Sequence, residues 1–198
     1  MNPVDYYEFE LNQIHHQSIK DLVIRIMKEK LPAYFMEVEA SSSGFYHQIV
    51  DGVHLKLCEH VKGAARFFLL FKTNPLFTRQ FDSMQLDYML AAILLHDGTK
   101  RGIESNPSPS SIFEHPITSV YLAPDNMSQV EYAHFTEIIR LITTHHGPWR
   151  ISSYSSIELP EVTDNMQYYV HLCDFLASRS VIWTDISDTE KVHRKYLK

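Results

Sequence analysis

Three scarcities narrow the reading of this chain before any motif is considered. Among its 198 residues there are two cysteines, Cys58 and Cys173, and both fall inside apolar helical patterns. A disulfide framework is therefore not expected, and a reducing compartment is. Basic charge is also short: 18 Lys and Arg stand against 24 Asp and Glu, for a formal net charge of −6. Long-duplex nucleic acid needs a basic face, so that partner is not expected. A small phosphate-bearing ligand remains open, because a metal can supply positive charge locally. Long apolar runs are missing too. None is long enough to span a bilayer, and Met1-Asn2-Pro3-Val4-Asp5 lacks the basic-then-apolar plan of a signal peptide. The expectation is a cytoplasmic protein with no membrane partner. Strand signals are weak, and there is no internal repeat, heptad pattern or low-complexity tract.

What is present is an ordinary globular balance, 44% hydrophobic and 21% charged, with length for one domain and a full core. The compositional oddity is twelve histidines, which point toward metal. Residues 1–17 have no clean period. Ser18 reads as the cap of a helix with Asp21 at its third position, running to Leu31 before Pro32. Residues 40–44 read as a loop. A long helix is expected from about Asp51 to Lys72, with Leu57, Val61, Ala64, Ala65, Phe68 and Phe71 in register and His60 beside that stripe. Ser83 reads as the next cap, ahead of an apolar face formed by Leu86, Met89, Leu90, Ile93 and Leu94.

That helix delivers Leu94-Leu95-His96-Asp97-Gly98-Thr99-Lys100, the stretch with the most chemistry. Gly98 reads as its stop, letting His96 and Asp97 face a common point. An imidazole beside a carboxylate suits a borderline divalent metal. Residues 98–113, rich in Gly, Pro and Ser, read as a loop of the kind that contacts substrates. Glu114-His115-Pro116 opens a short helix. Ser128 and Glu131 form a capping box for a helix carrying Val130, His134, Ile138, Leu141, Ile142 and His145 on one side, ending at Gly147-Pro148. Residues 150–164 read as polar loop, without a physical role. A last helix runs from about Asn165 to Arg179, with Asp174 amid the apolar stripe Val170, Cys173 and Ala177. A carboxylate there is costly unless something positive meets it. The tail after Trp183 is charged and expected to fray.

The fold class is thus all-α, a compact helical bundle over residues 1–198, with a core of about 45–182 and an N-terminal helical extension over 1–40. In chain order the donors are His60, His96 with Asp97, His115, His145 with His146, and Asp174. Each is separated from the next by about one helix and a connection, so different helices can aim them at one centre. His54 competes with His60 but lies on a different helical face. His15, His16, His47, His134, His171 and His193 read as structural or exposed.

With these pieces in hand, the chain resembles the HD-domain metal-dependent phosphohydrolases. The resemblance rests on Glu59-His60-Val61, Leu95 to Lys100, Glu114-His115-Pro116, His145-His146-Gly147, and His171 to Arg179, spanning roughly residues 50–180. It is closest to small stand-alone members, some from bacteriophages, and to the catalytic domain of bacterial 3′–5′ exoribonucleases of that superfamily. The resemblance implies that His60, His96, Asp97 and Asp174 hold a first metal. His115 and His145 match the extra histidines of members with a second metal, where Asp97 bridges both. His146 matches a metal or phosphate ligand, and Lys100 a lysine on the scissile phosphate. Gly98-Thr99 departs from the commoner Ile-Gly. No Gly-Tyr-Pro follows the histidine pair, which disfavours the cyclic-di-GMP branch.

The implied activity is hydrolysis of phosphoester bonds in nucleotides or short oligonucleotides, phosphodiesters favoured, by metal-activated hydroxide attack. The implied cofactors are two divalent transition metals among Mn, Fe, Co, Ni and Zn. Asp97, Lys100 and His146 carry the chemistry in this reading, and Lys100, His146, Trp149 and Arg179 contact substrate. The alternatives are a mononuclear nucleoside mono- or triphosphate phosphohydrolase, a di-iron oxygenase on the same scaffold, and a non-catalytic nucleotide-binding module.

Overall fold

The computed structural model describes residues 2–41, 49–50, 53–103 and 107–179. Among these, the helices are α1 (Pro3–Tyr6), α2 (Glu8–Leu11), α3 (Gln17–Glu29), α4 (Leu57–Lys72), α5 (Pro75–Thr78), α6 (Ser83–Leu95), α7 (His115–Thr118), α8 (Gln129–Ile142) and α9 (Asn165–Ala177). Short 3₁₀ turns cover Ala33–Met36 and Ser119–Leu122. One minimal antiparallel hairpin, β1 (Ile49–Val50) with β2 (Val53–His54), precedes α4. The all-α expectation holds. The tail after Trp183, His47, His193 and most of the 40–44 loop lie outside the described residues.

Helix α6 sets the arrangement. Met89 through Leu95 are all buried, not only the single face that the spacing predicts. A helix apolar all round must be covered all round, and α3, α4, α8 and α9 pack against it. Helix α4 also packs along α9, and α3 along α8. Burying side chains such as Leu90, Ile93 and Leu94 is worth about 1.5–3 kcal/mol each. That is enough to offset holding an ion at the end of α6, which costs several kcal/mol.

The N-terminal helices pack into the same core, since Tyr7, Leu11, Ile19, Leu22, Ile26 and Phe35 join the buried cluster. The stretch without a readable period contains α1 and α2. Glu10 of α2 is fully buried and pairs with Arg66 at 2.7 Å.

Several helix starts differ from the sequence reading. Helix α3 begins at Gln17 with His16 as its cap. Ser18 lies inside the helix, its Oγ 3.0 Å from His134 Nε2. The start is held instead by buried Asp87 of α6, which accepts from the backbone N–H groups of His15 (2.9 Å) and His16 (2.7 Å) and lies 2.7 Å from His16 Nδ1. Asp82, not Ser83, caps α6, in a reciprocal pair with Gln85. Helix α4 starts at Leu57, because the hairpin occupies the stretch before it. The Ser128–Glu131 capping box forms as expected. Val130, placed on the apolar side, is exposed. Arg179 lies past the end of α9.

Candidate metal centre

The chain after α6 does not break at Gly98. Turns continue, with Gly98 N–H donating to Leu95 O at 2.9 Å and Lys100 N–H to Asp97 O at 3.1 Å. Gly98 is not in the left-handed region, unlike Gly102 and Gly147. Its lack of a side chain serves packing: a Cβ there would lie 2.9 Å from both Leu31 Cδ2 and Leu122 Cδ1. Thr99, the other departure from the commoner motif, is fully buried. Its Oγ1 donates to His115 O at 3.0 Å and so ties α7 to the end of α6.

This brings every expected metal donor to one place. His60 comes from α4, His96 and Asp97 from the end of α6, His115 from α7, His145 from the turn after α8, and Asp174 from α9. Three overlapping groups have donor atoms within 4.8 Å of one another: His60, His96 and Asp97; His96, His145 and Asp174; and His115, His145 and His146. His54, on β2, belongs to none of them, so the choice falls on His60.

The two oxygens of Asp97 face different partners. Oδ2 is 3.5 Å from His60 Nε2 and 3.4 Å from His96 Nε2. Oδ1 is 3.0 Å from His115 Nε2 and 3.8 Å from His145 Nε2. Asp174 Oδ1 lies 3.0 Å from His60 Nε2 and 3.6 Å from His96 Nε2. Lys100 Nζ donates to Asp97 Oδ2 at 2.7 Å.

The far nitrogens of three rings determine what the near ones are. His96, His115 and His145 place Nδ1 at 2.7, 2.7 and 2.8 Å from the carbonyl oxygens of Ile93, Ile112 and Ile142. A carbonyl only accepts, so each Nδ1 carries the hydrogen and each neutral ring turns an Nε2 lone pair inward. His115 Nε2 and His145 Nε2 then stand 3.0 Å apart. Two lone pairs at that distance repel unless a cation or proton lies between them. Among the described residues, buried His146 Nδ1 has no hydrogen-bond partner. The donor set therefore suits a divalent transition metal, and this buried His/Asp cluster can hold one.

Without a metal, the charges settle among the side chains. Burial opposes ionisation of Asp97, but Lys100 and His96 hold its carboxyl well below the usual range. Burial likewise opposes charge on Asp174, and hydrogen bonds from His60 and His96 hold it low. Burial disfavours charge on His96, yet Asp97 and Asp174 push it up to about 10. His145 is held well below the ordinary value by burial, with His146 and His115 adding to the effect. Burial and His115 bring His146 down to about 3.

The cluster opens into a chamber of about 450 Å³, walled by Lys100, Ser111, Phe113, His146, Ser152 and Tyr154. The 98–113 loop thus contributes Ser111, Ile112 and Phe113, as its position suggested. Buried Arg101 reaches Ser108 O at 3.2 Å, Pro109 O and Glu39 O at 3.4 Å, which fixes that loop. Trp149 and Arg179 do not line this chamber. They line an adjoining cavity with Phe175 and His171.

His171 is the residue that sequence reasoning undervalued. It is buried, and its Nδ1 donates to His145 O at 2.8 Å. Its ring packs against Gly147, which has φ of +59°. A Cβ on Gly147 would lie 2.4 Å from His171 Cε1. The Gly following the histidine pair was the available signal, because it marks a close approach whose other party only the fold supplies. The segment 150–164 also acquires a role. Leu159 is buried, and Arg150 Nε donates to its carbonyl at 2.9 Å, closing a loop that presents Ser152 and Tyr154 to the chamber.

No family model, curated protein or solved structure matches the chain.

Proposed function

We propose that the protein is a metal-dependent phosphohydrolase of the HD-domain type, acting on phosphoesters of nucleotides or short oligonucleotides, with phosphodiesters favoured. The observation that carries this reading is the division of Asp97. One oxygen faces His60 and His96 and the other faces His115 and His145. A carboxylate so placed suits a bridge between two cations, one among His60, His96, Asp97 and Asp174 and a second among Asp97, His115 and His145. The second also has His146 within reach.

Divalent cations held there would supply Lewis acidity toward phosphoryl oxygens and lower the pKa of bound water. The side chains supply the rest. Lys100 sits at the chamber wall with its ammonium on Asp97, where it can add a positive charge to a phosphoryl oxygen. His146 is neutral and lines the same chamber, which suits ligation or a hydrogen bond to phosphate better than proton release. Ser111, Ser152 and Tyr154 offer hydroxyls to the remaining oxygens. The net charge of −6 favours a small substrate over a long polymer.

The test is elemental analysis of the purified protein beside a phosphate-release and product-formation screen. Substrates would be mononucleotides, cyclic nucleotides and short oligonucleotides, with added Mn, Co or Zn. The expected result is about two metals per chain, with turnover reduced by about 100-fold or more in Asp97→Asn, which keeps the shape and removes the charge. Turnover requiring O₂ with no phosphoester cleaved would favour the oxygenase alternative. Absence of metal in both proteins, with identical behaviour in every assay, would overturn the reading.

A further inference from the structure

A second cavity, of about 380 Å³, opens beside the metal chamber. The two share the walls formed by Phe113, His146 and Asp174, so they adjoin. Their linings differ in kind. The metal chamber is walled by histidines, carboxylates, Lys100 and hydroxyls. The second adds the rings of Trp149, His171 and Phe175, with Ser178 and Arg179, to the shared walls.

Trp149 and Phe175 lie nearly parallel there, with an interplanar angle of 11° and centroids 5.5 Å apart. His171 packs against Trp149 at 5.7 Å. Phe113 stands at the shared wall against His146, at 5.5 Å. Arg179, also in the lining, lies over the Phe175 ring, 4.4 Å from its centroid, and donates to Ser178 Oγ at 2.9 Å. Trp149 is 53% exposed although it is a large apolar ring, so covering it would release water from its face.

We propose that this cavity is a nucleobase subsite, taking the planar heteroaromatic ring of a substrate whose phosphate lies in the metal chamber. The proposal rests on the phosphohydrolase reading and adds what the substrate carries besides phosphate. Flat π surfaces favour a flat ring over an aliphatic chain, since stacking is available to the one and not the other. The volume falls in the range of small-molecule sites, about 300–1,000 Å³.

Calorimetric titration of Mn-loaded protein tests this with ligands that are not cleaved. The probes are the 5′-phosphonate analogues of the common nucleotides, the 5-phosphonate of ribose, and the bare nucleosides. At least one nucleoside phosphonate should bind about tenfold or more tightly than ribose phosphonate, the scale set by a base stacked on an aromatic side chain. Trp149→Leu should abolish that advantage and leave ribose phosphonate binding unchanged, while Trp149→Phe should retain most of it. Circular dichroism and metal content establish that each variant is folded and loaded. Equal affinity for nucleoside and ribose phosphonates, or an advantage undiminished in Trp149→Leu, overturns the subsite and leaves the phosphohydrolase reading standing. Bare nucleosides binding as tightly as their phosphonates would support the subsite and count against the phosphohydrolase. Failure of every probe to bind overturns both.

Discussion

Asp97 shows how much one side chain can be asked to do. It is buried, it takes the charge of Lys100, and its two oxygens serve two sets of histidines. Its neighbours are constrained in turn. The three Nδ1–carbonyl contacts choose the tautomer before any ligand arrives, so no ring has to reorient on binding. Gly147 belongs to the same constraint. It holds a left-handed backbone angle and leaves room for His171, whose hydrogen bond to His145 O steadies the histidine pair. Gly147→Ala should therefore lose more than about 1 kcal/mol of stability, read as a lower urea midpoint, because Ala at positive φ is strained even where space exists. It should also weaken metal binding, since His171 must move to admit the methyl group. An unchanged midpoint would mean that the turn relaxes without involving His171.

Helix α3 docks through a buried apolar face and, at its start, through polar groups as well. Buried Asp87 holds the backbone just ahead of it, and His134 of α8 lies between Ser18 Oγ at 3.0 Å and Tyr88 Oη at 2.7 Å. Burial and nearby His16 lower the pKa of His134 in the folded protein. The unfolded chain then takes up a proton, at the ordinary histidine pKa of about 6.5, that the folded chain refuses. Stability from this group is present above that value and is lost as pH falls through it toward the folded value. Urea unfolding from about pH 7 to about pH 5 should show a falling midpoint, and His134→Gln should make the fall shallower. His145 and His146, held low by burial, slope the same way, whereas His96, pushed up by Asp97 and Asp174, slopes the other way, so the difference between variant and wild type is the informative quantity. Equal slopes would remove His134 from the account.

For the molecule as a whole, the donors come from α4, the end of α6, α7, the turn after α8, and α9. A bound metal would thus cross-link most of the bundle, and none of these residues is preassembled in an unfolded chain. Added Mn or Zn should raise the melting temperature, with a stabilisation of about 2.7 kcal/mol when free metal is 100 times its dissociation constant. A chelator should reverse the shift, and Asp97→Asn should blunt it. A melting temperature indifferent to metal in the wild-type protein would count against a site within this cluster. No helix among the described residues is long and apolar enough to cross a membrane.

Much of the architecture was legible because its signals are local. The capping box at Ser128, the period of α4, the apolar face of α6 and the proline after His115 each follow from a few neighbouring residues. The six side chains that the fold gathers could be named in order because a polar group on an apolar helix face is conspicuous in one dimension. Helix starts were less legible where the partner is distant. Asp87 meets His16 across 71 positions of chain and takes the place of the cap that Ser18 advertised. By itself the sequence determined that the helices α3, α4, α6, α8 and α9 form, most of the faces they bury, and which histidines and carboxylates are too costly to bury without a partner. Only the tertiary structure decided His60 over His54, the division of Asp97 between two donor sets, the support of His145 by His171, and the meeting of Trp149 with Phe175 beside the chamber. The physical reason is that helix formation and burial depend on spacing along the chain. A metal centre and an aromatic cavity depend on ångström distances between atoms that the packing of separate helices sets.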